Sequence, residues 1–212
     1  MQGIIDMSKP QRIVYVVDDD PAIRDALRWL FESVGLEVET FDSAQAFMAT
    51  YEPGRPGCLV LDVRLPGMGG LDLQEKLLSR HDSLPVLLIT GHADVAVAVR
   101  AMKMGAVDFL AKPFNDQILL DKVQKAIDMH RHRIKVRSAR SEIDERIRQL
   151  STRENQVMRQ VVGGKSNRTI AAELGLSPKT IEVHRARVMS KMKAKSLAEL
   201  VRLHLTACTH PG

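Results

Sequence analysis

The sequence predicts two domains of different class: a doubly wound α/β domain, then a small all-α domain. Three observations predict this. Strand-like and helix-like segments alternate through residue 128, and only helix-like segments follow residue 150. Charge divides at the same place. Residues 1–128 hold 13 Lys+Arg against 19 Asp+Glu, a net −6, whereas residues 129–212 hold 18 against 7, a net +11. The length of 212 residues also suffices for two ordinary domains.

The strand-like segments are "RIVYVV" (12–17), "LEVETF" (36–41), "CLVLDV" (58–63), "PVLLIT" (85–90) and "VDFLA" (107–111). They are short, rich in Val, Leu and Ile, and mostly apolar throughout, as parallel strands covered on both faces are. Helix-like segments lie at 21–34, 43–50, 70–79, 94–104 and 115–128, with Gly35, Gly67, Gly91 and Gly105 in the turns. Five such βα units predict a flavodoxin-like five-stranded parallel sheet over 10–128. Trp29 falls in the first helix and is expected to pack.

The stretch "MHRHRIKVRSARSEIDERIRQ" (129–149) has no Gly or Pro and reads as a helical linker. Its apolar residues are sparse (Ile134, Val136, Ile143, Ile147), and His130 and His132 are expected to be solvated. Helices follow at 151–162, 166–174, 177–193 and 196–206, making an all-α domain over 150–206. Ser151 and Glu154 fit a capping box, and Ser177 before Pro178 marks another helix start.

Composition narrows the class. With 44% apolar and 27% charged residues the chain is ordinary for a soluble protein. No run approaches the roughly 18 apolar residues of a membrane helix. The opening "MQGIIDMSKP" has an acid where a signal peptide would put its apolar centre, so a cytoplasmic location is expected. Cys58 and Cys208 have no partner spacing, which excludes a cysteine zinc site and suits reduced thiols. His81, His92, His204 and His210 have no ligand spacing either.

The motifs that carry chemistry meet at one edge of the sheet. In an open α/β sheet the carboxyl ends of the strands converge where sites form. Asp18, Asp19 and Asp20 follow the first strand, Asp62 ends the third, Thr90 ends the fourth, and Lys112 follows the fifth. Clustered carboxylates repel unless a cation neutralises them, and Mg²⁺ suits two carboxylates, a carbonyl and several waters. A carboxylate beside Mg²⁺ is also a nucleophile toward phosphorus, with Lys112 and Thr90 placed to hold the phosphoryl oxygens. Charges about 4 Å apart interact by roughly 4 kcal/mol at an effective dielectric of 20. Desolvation takes back much of that, but allosteric coupling typically needs only about 1–3 kcal/mol, so the magnitude suffices.

"VVDDDP", "LVLDVRLPGMGG", "LLITGH" and "GAVDFLAKPF" resemble, in order and spacing, the receiver domain of two-component response regulators. The resemblance implies that Asp62 is the phosphoacceptor. It implies Mg²⁺ held by Asp18, Asp19, Asp62 and the backbone carbonyl of Arg64. Thr90 would be the switch hydroxyl, Phe109 the switch aromatic and Lys112 the family's lysine, followed by a cis bond to Pro113. Asp20 receives no ligand role.

In the basic half, "VGGKSN" (162–167) ends like a phosphate-binding loop, but Arg159 stands where the first glycine belongs. Gly163 and Gly164 read instead as a helix stop and turn. Helix, "LGLS" turn and basic helix together make a helix-turn-helix. Ile181, Val188 and Met192 form the inner face of the last of these helices. Lys179, Glu182, Val183 and Ala186 form the outer one, flanked by Thr180, Arg185 and Arg187. Such a face fits a major groove.

"LSTRENQVM" and "GKSNRTIAAELGLSPKTIEVHRARVMSKMKAKSLAELV" resemble the LuxR/NarL-type DNA-binding domain, and the whole chain resembles the FixJ-type regulators. The resemblance assigns Lys179, Thr180, Glu182, Val183, His184, Arg185 and Arg187 to the DNA side, with Asn167 and Arg168 reaching phosphates. Which of them touch bases stays open. The implied partners are a sensor histidine kinase, double-stranded promoter DNA, a second copy on phosphorylation, and RNA polymerase, with no membrane.

Two other classes compete. Haloacid-dehalogenase phosphatases also form an aspartyl phosphate, but they carry a second acid two residues on, where this chain has Arg64. RNA binding by the basic half would want aromatic stacking platforms, which that half lacks.

Overall fold

The computed structural model describes residues 12–80, 82–91 and 95–208. The expected helix start at 94, His81, His92 and His210, the N-terminal "MQGIIDMSKP" and the side chain of Cys208 lie outside the described residues. The chain divides into two compact units between Lys135 and Val136.

The first unit alternates strand and helix. Its strands are β1 (Ile13–Val17), β2 (Glu37–Phe41), β3 (Gly57–Asp62), β4 (Val86–Thr90) and β5 (Asp108–Ala111). They form one parallel sheet in the order β2-β1-β3-β4-β5. Helices α1 (Pro21–Ser33), α2 (Ala44–Thr50), α3 (Gly70–Ser79) and α4 (Val95–Lys103) follow the first four strands. Helix α5 runs from Asp116 to Arg148. The segments expected at 115–128 and 129–149 are therefore one helix, since nothing in the sequence between them breaks it.

The three central strands β1, β3 and β4 are buried along their whole length, as expected. The edge strands β2 and β5 are only partly covered. One core lies on each face of the sheet. Tyr15, Phe47, Leu61, Leu73 and Leu88 belong to one; Val16, Phe31, Val60, Ile89 and Ile127 belong to the other.

Two expectations fail in this unit. Trp29 does not pack: it is 76% exposed. The apolar stripe of α1 buries Leu27 and Phe31, and Trp29 falls off that stripe. His130 is not solvated: it is 2% exposed, and the Gly57 N–H donates to its Nδ1 at 3.0 Å. The α5 face that buries Leu119, Val123 and Ile127 carries on one turn further to His130. Burial pushes its imidazolium form down in pH. His132 is exposed, as expected.

The second unit is all helix: the end of α5, then α6 (Thr152–Val162), α7 (Asn167–Leu174), α8 (Pro178–Lys191) and α9 (Leu197–Cys208). Its core joins Val157, Met158, Ile170, Ile181, Val188, Met192 and Leu200 to Ile143 and Leu150, with Ile147 packed against them. The inner face read for α8 is thus the buried one. Ser151 and Glu154 form the expected capping box, and Ser177 caps α8 ahead of Pro178. Gly164 and Gly175 take positive φ at the turns after α6 and α7.

Candidate phosphoacceptor site and nucleic-acid interface

Parallel register places the strand ends side by side. Asp62 pairs with Ile89, so Thr90 ends one residue beyond it, and Thr90 pairs with Ala111, just before Lys112. Val17 pairs with Leu61. The sequence distances between these motifs therefore vanish at the carboxyl edge of the sheet.

Lys112 bridges the acids. Its Nζ lies 2.7 Å from Asp18 Oδ2 and 2.7 Å from Asp62 Oδ1. Asp18 is 1% exposed and Asp62 6%. Their remaining oxygens accept backbone N–H groups: Asp20 N–H donates to Asp18 Oδ1 at 3.0 Å, and Arg64 N–H donates to Asp62 Oδ2 at 2.6 Å. Burial pushes the Asp18 carboxyl above its ordinary range, against the pull of Lys112. Burial also pulls the Lys112 ammonium down, but its two carboxylate partners together outweigh this and raise it. The peptide bond to Pro113 is cis.

The other expected residues take distinct places. Asp19 and Asp20 are exposed, and Asp20 caps α1 by accepting from Ala22 N–H at 2.8 Å. The third acid of the run thus holds a helix end, a role signalled by the proline after it. Arg64 is exposed beyond β3. Thr90 is buried, and Phe109 is half-buried against the core that holds Tyr15 and Leu88.

Two supporting residues escape sequence reading. Arg24 Nη1 donates to the Asp18 carbonyl at 2.7 Å, from the first turns of α1. Gly70 starts α3 so close to β3 that a Cβ there would stand 2.2 Å from the Asp62 carbonyl oxygen. Each partner is close in sequence, but the contact exists only once the turn from strand to helix has folded back, so residue type alone does not signal it.

The oxygen donors suit Mg²⁺, which accepts one or two carboxylates and keeps much of its water. Asp18 and Asp62 present two buried carboxylates a single ammonium apart. Among the described residues no group of three or more His, Cys, Asp or Glu is placed to enclose a metal.

On α8, Lys179, Glu182, Val183 and Ala186 are exposed, the outer face the spacing predicts, and so is the flanking Arg187. Val183 is 44% exposed, an apolar side chain left among charged ones. Lys179 lies 3.7 Å from Glu182. Thr180, His184 and Arg185 are half-buried. The Thr180 hydroxyl is engaged with Ser177 Oγ at 2.8 Å, and Arg185 Nη1 donates to Asn167 Oδ1 at 2.8 Å. His184 Nδ1 is turned inward from solvent and has no protein hydrogen-bond partner. Arg168 is exposed at the start of α7. The structure thus brings five of the expected α8 and α7 contacts to the surface and ties Thr180, Arg185 and Asn167 into the domain.

Residues 14–124 match the response regulator receiver domain, and residues 148–204 match the bacterial regulatory proteins of the luxR family. The chain belongs to the response regulators that join a receiver to a LuxR-type DNA-binding domain. It is 48% identical to the transcriptional regulatory protein FixJ of Azorhizobium caulinodans over 94% of both chains. A solved structure of the response regulator StyR is 43% identical, covering 92% of this chain and 98% of its own, with a TM-score of 0.86. Full-length FixJ from B. japonicum is 45% identical over 94% and 98%, with a TM-score of 0.55. FixJ is a transcriptional regulatory protein and StyR a response regulator, and neither supports the phosphatase alternative. No helix among the described residues is long and apolar enough to cross a membrane.

Proposed function

We propose that this response regulator takes a phosphoryl group on Asp62 from a sensor histidine kinase. It then binds double-stranded promoter DNA through α8 as a homodimer in the cytoplasm and controls transcription, with RNA polymerase as a further partner. The observation that supports this reading best is the Lys112 bridge. One ammonium lies 2.7 Å from each of two buried carboxylates at adjoining strand ends.

In the transfer step a carboxylate oxygen of Asp62 attacks phosphorus. The nitrogen–phosphorus bond of the kinase's phosphohistidine breaks, and its electron pair leaves with the imidazole nitrogen. Lys112 already stands beside Asp62, where it can hold an oxygen of the incoming phosphoryl group, so little reorganisation is needed. Asp18, Asp19, Asp62 and the Arg64 carbonyl are the assigned magnesium ligands. Bound there, Mg²⁺ supplies charge neutralisation for the phosphoryl oxygens. Thr90, ending the adjacent strand, serves as switch hydroxyl, and Phe109 as switch aromatic. The chain acts as a switch rather than a turnover enzyme, because Arg64 occupies the place of a second acid.

At the DNA, Lys179, Thr180, Glu182, Val183, His184, Arg185 and Arg187 belong to the groove side, with Asn167 and Arg168 near phosphates. Pairing two basic units on one duplex raises affinity through effective concentration. Incubation with Mg²⁺ and acetyl phosphate tests the reading. Expected are a single phosphate per chain, no labelling of Asp62→Ala, and tighter duplex binding in a gel shift. Sustained hydrolysis of phosphomonoesters, or full labelling of Asp62→Ala, would overturn it.

A further inference from the structure

We infer that Arg24 is a positioning residue of the acidic site, holding the β1–α1 turn in the shape that receives Mg²⁺. This rests on the reading of Asp18, Asp19 and Asp62 as the metal-binding carboxylates. Arg24 belongs to α1, not to any of the strand ends that carry the acids. Its guanidinium reaches back along the chain and donates to the Asp18 carbonyl at 2.7 Å, half shielded from solvent.

The peptide from Asp18 to Asp19 leads from the buried acid to the exposed one, and few contacts set its direction. The Asp18 N–H donates to the Phe41 carbonyl at 3.2 Å. The Asp18 side chain accepts from Asp20 N–H at 3.0 Å. Arg24 holds the remaining polar group, the Asp18 carbonyl, and thereby the plane of the peptide that carries Asp19. Without it that plane loses its restraint from α1, and with it the backbone setting from which Asp19, exposed next to the buried Asp18, is presented. A charged donor makes the stronger kind of hydrogen bond, so one contact suffices.

A competing effect gives the opposite sign. A guanidinium near a cation site repels the cation, so a purely electrostatic Arg24 would weaken Mg²⁺ binding and its removal would tighten it. The geometry favours positioning, because the guanidinium is spent on a backbone carbonyl and makes no ion pair with Asp18, Asp19 or Asp62.

Calorimetric titration of the full chain with MgCl₂ decides between them. Arg24→Ala should weaken Mg²⁺ affinity about tenfold, the loss of one charge-assisted hydrogen bond. Arg24→Lys, which keeps a donor on a long stem, should fall between. At saturating Mg²⁺, labelling by acetyl phosphate should return near the wild-type rate, which a general loss of folding would not allow. Affinity unchanged or tighter in Arg24→Ala, or labelling that stays low at saturating Mg²⁺, overturns the assignment. Asp19→Asn separates the two levels. If it abolishes binding while Arg24→Ala leaves it intact, only the role of Arg24 falls. If the wild-type chain binds no Mg²⁺, both fall.

Discussion

Three adjacent aspartates after β1 end up with three different tasks. Asp18 is buried against Lys112, Asp19 faces solvent at the site, and Asp20 caps α1. Their separation follows from strand geometry, which turns successive side chains to opposite sides, and from the helix start that follows. Lys112 resolves the repulsion between Asp18 and Asp62 in the metal-free protein. Lys112→Ala should therefore lower metal-free stability by about 1–3 kcal/mol, part of which returns when Mg²⁺ is added. Thermal melting with and without Mg²⁺ checks this, and equal losses under both conditions would contradict it. On α8, Arg187 is exposed, while Arg185 is tied to Asn167. Arg187→Ala should reduce the salt dependence of duplex binding by about one unit of slope. Arg185→Ala should weaken binding too, by loosening the start of α7 as well as by losing a contact. Most of the acidic site was legible in the sequence, because Asp18, Asp62 and Lys112 stand at strand ends with telling neighbours. Arg24 was not, because an arginine in a first helical turn is ordinary until its carbonyl partner is known.

At the scale of elements, two packing contacts set the working parts. Helix α3 begins against the end of β3, and Gly70 leaves room for the Asp62 carbonyl. Gly70→Ala should cost about 1–3 kcal/mol by overpacking and slow labelling of Asp62, since the strand end must shift. A variant with wild-type melting and labelling would show that the backbone relaxes freely. The start of α6 is held by Glu154, which accepts from Ser151 N–H at 2.8 Å and pairs with Lys191 Nζ at 2.7 Å. Lys191 and the capping box draw the Glu154 carboxyl down to about 2. A carboxylate with a depressed folded value stabilises above its ordinary range, and the contribution fades as pH falls toward 2. Glu154→Gln should therefore lower the melting temperature at neutral pH, with the gap to wild type closing on acidification. His130 has the same direction of pH dependence for another reason. It is buried neutral against Gly57, so acid that charges it in the unfolded chain destabilises the first unit as pH drops below the ordinary histidine range. The capping box was readable from "STRE"; the burial of His130 was not, because its neighbours in sequence are all charged.

At the scale of the whole molecule, one 33-residue helix belongs to both units. Its last turns place Ile143 and Ile147 in the second core, while Arg140 and Arg146 donate to the carbonyls of Ala207 and Met192 at 3.2 Å each. A fragment beginning at Val136 should melt cooperatively. One beginning at Leu150 should lose several kcal/mol, at roughly 1.5–3 kcal/mol for each buried aliphatic side chain removed. Equal melting of the two fragments would show that the connector adds nothing to that core. Binding of the full chain to duplex should weaken steeply between low and physiological salt, as the +11 charge of residues 129–212 implies.

By itself the sequence determined the order of strands and helices, the two charge-opposed domains and the residue types of both sites. Periodicity, caps and turn residues act locally and are written in neighbouring positions. What tertiary structure alone decided was which groups meet and which stay in solvent: Arg24 on the Asp18 carbonyl, Gly70 under Asp62, His130 beneath β3, Trp29 left in solvent, and Ile143 and Ile147 in the second core. Each depends on which faces meet after the chain has closed its loops, and no local pattern encodes that meeting.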